Sequence, residues 1–444
     1  MRRLAFAVLS LLTVSVTTGV HAQSVEIENV RVHLADQDTA AQSVPVTFEV
    51  RWEESWRDGE SWDAVWLFAK FEREPSVWSS LRLTPEVTAE GRTSATATPS
   101  MLPAGYANGL VLHRAADGRG EVQATVQATW TYGASYFDLP EDGVPIRVLG
   151  VELVHVPGGP FEVGEAVVDS LRQPNAFRSA DGGTYRIASE DEIAVGAGPS
   201  ALYYDVPDGE AYVGGDQAGP IPAAFPKGTA SFYVMKYPIT QGQYADFLTL
   251  LSPRARSARD ISTYPGYADK GGTVSCGDAG CAARLPDRAA NFLGWADGIG
   301  WASWAGLRPM TELEYEKAAA GTPADSARYA DGALPERVGA SERRSRWGVV
   351  DLRGGLWERV VSVGTPEGRA FRGTPGQGYV DDFGYPYGFV NADWPGPRAL
   401  GSGYRGGTEG LLALAEVADR TYGAYEASYG NEGLRSCGPN PALY

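Results

Sequence analysis

The chain has 444 residues, 43% of them hydrophobic and 21% charged, which is enough apolar material for folded cores and too much length for a single one. A formal charge of −17 repels polyanions, so nucleic acid and anionic lipid surfaces are excluded as partners. With 55 glycines, 29 prolines, 12 tryptophans and 22 tyrosines, the composition describes a loop-rich, aromatic-rich globular protein rather than a disordered one.

Arg2 and Arg3 precede an apolar stretch from Leu4 to about Val16, and Val20, His21 and Ala22 set small residues before Gln23. This pattern predicts a signal peptide over residues 1–22, cleavage near Ala22, and a secreted or envelope-associated mature chain. The apolar run is shorter than the roughly 20 residues of a membrane helix and no later segment replaces it, so no membrane span is expected. No cysteine sits at the cleavage site, and a lipid anchor is not indicated there.

Residues 23–149 read as an all-β sandwich domain. Val44 to Trp52, Ala64 to Phe71 and Val122 to Trp130 alternate apolar and polar positions between Gly, Pro and Asp turns. No paired acids, nucleophile or phosphate loop appears in this part.

A second domain, 150–444, is expected to open with the strand Val151 to Val156 and the turn Pro157-Gly158-Gly159. Residues 165–230 read as irregular. Phe232 to Tyr237 reads as a strand, and Thr240 caps a helix running to Leu248. Cys276 and Cys281 lie in the loop that follows. Their spacing suits a small disulfide loop in an oxidising compartment, leaving Cys437 free or paired between chains. Zinc is not expected, because His33, His113 and His155 are the histidines left after processing and none is near a cysteine.

Trp295 to Gly321 reads as two helices around a tryptophan-lined corner, with Trp301 and Trp304 on one face of the first. Thr311 and Glu314 form a capping box for the second, which stops at Gly321. Glu312, Glu314 and Glu316 sit where the helix dipole favours negative charge, and Lys317 sits toward the other end. Beyond Gly348 to Glu358 little regular structure is expected, and long loops on a fixed scaffold are usually functional.

These stretches, in their order, resemble the formylglycine-generating enzyme family, also called the sulfatase-modifying factor family. The resemblance is carried by Pro157 to Gly164, by Lys236 to Phe247, by Trp295 to Gly298 with Trp304 to Glu316, by Gly348 to Glu358, and by Arg405-Gly406-Gly407 with Gly433 to Arg435. It covers about residues 150–440. It implies an α+β fold, a C-type-lectin-like arrangement with low regular secondary structure, placed after the β-sandwich.

The resemblance also implies where a site would be. Members that oxidise a sulfatase cysteine use two thiolates after the Arg-Gly-Gly, a pairing suited to Cu(I). Those positions fall at about Leu411 and Glu416, and the chain has no cysteine between Cys281 and Cys437, so copper is not expected. A histidine triad for non-haem iron would have to draw on His33, His113 and His155, which are scattered along the chain. Calcium is the ion the resemblance leaves, at the turn of Gly354, Gly355 and Glu358, although Gly355 stands where the family has asparagine. Asp381, Asp382 and Asp393 are a further carboxylate group.

The leading expectation is a secreted, non-catalytic binding or structural module. Candidate contacts for a carbohydrate or protein surface are Tyr379, Asp381, Asp382, Trp394, Arg405, Glu416 and Arg420, where aromatics and charges interleave. The alternatives are a metal-dependent oxidase of the same family, a receptor with diversified C-terminal loops, and a self-assembling envelope or filament component.

Overall fold

The computed structural model describes residues 25–102, 105–165, 175–204, 213–321, 335–340, 344–380, 391–396, 398–407, 417–426 and 442–443. Asp381, Asp382, Leu411, Glu416, Cys437 and the Gly433 to Arg435 ending lie outside them. The protein is mostly β with few helices.

The N-terminal strands are β1 (Val25–Val32), β2 (Ser43–Asp58), β3 (Ser61–Glu74), β4 (Val77–Ser80), β5 (Leu83–Gly91), β6 (Ala95–Met101), β7 (Ala107–Arg114), β8 (Gly118–Thr131) and β9 (Ile146–Val156). Those expected as a two-layer sandwich are hydrogen-bonded into one sheet. Its path β2-β8-β5-β7-β3 returns to β2 through the Arg57↔Trp62 and Asp58↔Ser61 pairs. Val44, Val46, Phe48, Val50 and Trp52 alternate inward from β2 and meet Val122, Val126 and Trp130 of β8 in one core. Burial of each such side chain contributes on the order of 1.5–3 kcal/mol.

β3 departs from alternation. Val65, Leu67, Ala69 and Phe71 enter that inner core, whereas Ala64, Trp66 and Phe68 enter a second core on the opposite face. An unbroken apolar run such as Ala64 to Ala69 marks a strand covered on both sides.

What covers the outer face is the second region. Its strands are β10 (Phe161–Val163), β11 (Arg178–Ser179), β12 (Tyr185–Ile187), β13 (Leu202–Tyr203), β14 (Phe232–Met235), β15 (Val274–Gly277), β16 (Gly280–Ala283), β17 (Glu358–Val361), β18 (Ser402–Arg405) and β19 (Ala442–Leu443). Its helices are α1 (Gln241–Thr249), α2 (Pro253–Ala258), α3 (Trp295–Ala305), α4 (Glu312–Ala319) and α5 (Pro366–Arg369). Tyr244 and Phe247 of α1 and Trp301 and Trp304 of α3 pack on Trp66 and Phe68. Trp66 Nε1 donates to Ala305 O at 2.7 Å, and the buried Lys70 ammonium donates to Trp304 O and Gly378 O at 2.6 Å each. Gly306 ends α3 at φ +77°, the left-handed cap conformation that favours glycine, and the Asn108 amide lies 2.9 Å from where a Cβ would stand.

The boundary expected between residues 149 and 150 falls inside β9. This strand pairs with β3 from Trp62↔His155 to Phe71↔Ile146, and its second half also pairs with β14. The two regions therefore share one sheet.

Candidate functional site

The capping box at Thr311 is present: its hydroxyl accepts from Glu314 N at 3.1 Å, and Glu314 Oε2 accepts from Thr311 N at 2.9 Å. The acids of α4 do more than meet the helix dipole. Glu312, Glu314 and Glu316 are all buried, and each is matched to arginine. Glu314 binds Arg308 at 2.9 and 2.5 Å, and Glu316 binds Arg405 at 2.5 Å. Glu312 accepts from Arg405 Nη1 at 3.2 Å and from Arg420 Nε at 2.7 Å and Nη2 at 3.0 Å. Burial pushes the Glu316 carboxyl up, and Arg405 beside it opposes that rise.

Arg405 and Arg420, expected at a contact surface, are thus 0% exposed and occupied inside the protein. Arg420 also donates to Asn175 O and Gly214 O, and Arg405 to Val417 O. Together they fasten the loops around residues 175, 214 and 417 to α4. In the sequence the acids and the arginines stand far apart. The spacing of Glu312 and Glu316, one turn apart on one face, was the available signal.

The turn expected to hold calcium is braced by the same layer. Gly354 N donates to Gly406 O at 2.8 Å, and Glu358 pairs in register with Arg405 across β17 and β18. Glu358 is fully buried. Calcium takes about six to eight oxygens. Among the described residues no three acids, histidines or cysteines converge as a metal site, and Gly355 adds no side-chain oxygen. Within Gly354 to Glu358 the one carboxylate is that of Glu358, so an ion there would draw its other oxygens from backbone carbonyls, and no chemistry is derived through it.

Of the remaining candidates, Tyr379 is 46% exposed. Trp394 is 5% exposed, donates Nε1 to Thr374 O at 2.8 Å, and packs in the core with Trp295 and Phe371. Its edge reaches a cavity of about 560 Å³, where Pro395, Ala370 and Leu400 form an apolar wall between Glu367 and Arg398. Asp393 Oδ2 accepts from Arg372 N and Thr374 N, so it braces a turn.

The histidines are less scattered than their positions suggest. His155 stacks on Trp62 with ring centroids 3.7 Å apart, and His113 lies 5.3 Å from the same ring; His33 is elsewhere, beside Thr47. Burial is the largest cause lowering His155 to about 4, with His113 and Arg57 adding to it. The unfolded chain then binds more protons than the folded one between about pH 4 and the ordinary 6.5, so stability falls as pH drops through that window. Asp297, which burial raises to about 6, acts with the opposite sign over much of the same range. His155→Gln is therefore expected to flatten the acid loss by up to about 1.4 kcal/mol per pH unit, read as urea midpoints from pH 7 to 4. An unchanged slope sinks the assignment.

Cys276 and Cys281 face each other in the β15–β16 hairpin and form a disulfide. A family model for the sulfatase-modifying factor enzyme 1-like domain matches residues 147–382, just over half the chain. The chain belongs to this family. No curated protein matches it. Among the described residues no helix is long and apolar enough to cross a membrane.

Proposed function

We propose that the chain is a secreted, non-catalytic member of the family, a binding module with a C-type-lectin-like arrangement carried on the N-terminal β-region. The observation that supports this most is the Cys276–Cys281 disulfide. It takes two of the three cysteines and leaves Cys437 alone, so two thiolates for Cu(I) are not at hand. A disulfide also suits an oxidising, extracytoplasmic compartment, in line with the signal peptide expected over residues 1–22.

The arginines that could have met a ligand are engaged beneath the surface, and the outer loops offer Tyr379 and the apolar cavity beside Trp394. Flat apolar rings with neighbouring carboxylates suit carbohydrate or protein surfaces better than a redox substrate. Protein purified without chelator is expected to carry no stoichiometric copper or iron, to consume no oxygen with a cysteine peptide, and to bind on a glycan array or to a purified envelope protein. Stoichiometric metal with turnover overturns the reading.

A further inference from the structure

We infer that the cleft between the N-terminal β-region and the loops after α5 is a binding site for a neutral oligosaccharide. The inference rests on the binding-module reading and names its ligand class and place. The cleft measures about 730 Å³, within the roughly 300–1,000 Å³ of small-ligand sites, and it lies where two regions meet. One wall carries Tyr106 and Tyr136 from the turns after β6 and β8. The other carries Pro375 and Gln377, with Asn391 and Asp393 bonded to the same 372–375 segment.

Tyr136 is 91% exposed, yet its turn is pinned. Its N–H donates to Gly133 O at 3.0 Å, and Arg73 donates to Ser135 O at 3.3 Å and to Tyr136 O at 3.1 Å. A large ring presented to water on a fixed backbone is a ready stacking surface, because little freedom remains to be lost on binding.

The polar groups select the ligand. Asn391 is 8% exposed, and its Nδ2 donates to Thr374 O at 3.2 Å, Thr374 Oγ1 at 2.7 Å and Pro375 O at 2.7 Å. Those two carbonyls can only accept, so the amide orientation is set and Oδ1 faces away from them. That oxygen has no partner among the described residues. That oxygen is itself closed to solvent, so the acceptors left to a ligand are those of the Asp393 carboxylate and the Gln377 amide. The Asp393 carboxylate accepts from the 372–374 turn at both oxygens, Oδ1 from Thr374 Oγ1 alone, so Oδ1 keeps a lone pair for a further donor.

The one arginine of the lining, Arg82, donates to Asn108 Oδ1 and, at 2.7 Å, to Gln377 O, which fixes its guanidinium between the two walls. Arg82 and Asp393 are the charged residues of the lining and their charges offset, so the cleft favours uncharged hydroxyl-bearing ligands over phosphate or carboxylate. The chain's −17 charge points the same way. Hydroxyls at the edge and apolar faces for the tyrosines together describe a neutral pyranose chain.

The test uses the full chain and isothermal titration with maltotriose, cellotriose and triacetylchitotriose. At least one is expected to bind, about tenfold more weakly to Tyr136→Ala and to Tyr106→Ala, with thermal midpoints unchanged. No binding by any of the three overturns the proposal. Binding that ignores both tyrosine variants overturns the cleft while leaving the binding-module reading intact. Metal-dependent turnover without saccharide binding removes both.

Discussion

Replacing Glu312 by alanine is expected to lower the unfolding free energy by about 3–5 kcal/mol, a large part of the roughly 5–15 kcal/mol that holds an ordinary domain together. Oε1 accepts from Arg420 Nη2, from Val363 N at 2.7 Å and from Ser362 Oγ at 3.2 Å; Oε2 serves Arg420 Nε and Arg405 Nη1. Alanine leaves two fully buried guanidinium groups short of their counter-charge, and it leaves the Val363 amide without an acceptor. Glu316 still neutralises Arg405, so Arg420 bears most of the loss. Glu312→Gln keeps an acceptor but removes the charge, and falls between. The readout is the urea midpoint at constant m, with the exposed Glu367→Gln as a control expected within about 0.5 kcal/mol. A Glu312→Ala shift no larger than the control's would show that the network carries no stability.

Lys236→Met is the second large effect. Lys236 Nζ binds Glu152 Oε2 at 2.7 Å and Asp63 Oδ2 at 3.1 Å, and all three side chains are at most 2% exposed. Methionine fills the space but abandons two buried carboxylates, again a loss of about 3–5 kcal/mol near neutral pH. A pH series separates this from a packing defect. Without the ammonium the two folded-state carboxyls rise above their unfolded values, so the folded variant binds more protons and recovers stability as pH falls toward the ordinary carboxylate range. The triple variant with Asp63→Asn and Glu152→Gln is expected to regain part of the loss at neutral pH. A deficit that stays constant with pH, and is not relieved in the triple variant, rules out the electrostatic account.

Local physics was legible in the sequence and long-range physics was not. The Thr240 cap and the Thr311 capping box form as the sequence predicts, since donor and acceptor lie three residues apart. The disulfide hairpin was equally local. Glu312 and Arg420 are 108 residues apart, and neither residue's surroundings in the chain announce the other. Arginines near the C-terminus therefore read as surface contacts when they are interior braces. The histidines misled for the same reason: His113 and His155 meet over Trp62 because β7 and β9 flank β3. In the Ala64 to Ala69 run, the missing polar positions did announce a doubly covered strand, which a half-exposed sandwich strand does not match.

The match at residues 147–382 begins one residue into β9, a strand paired along ten positions with β3. The stretch that similarity recognises therefore begins inside a sheet that the N-terminal strands share. A fragment trimmed to residues 147–382 would keep β9 beside β14 and lose β3, turning the β3-facing side of β9 into an open edge able to recruit another chain. The border of the family match and the border of the sheet fall in different places here, and the outer face of β3 serves as a wall against which α1 and α3 pack.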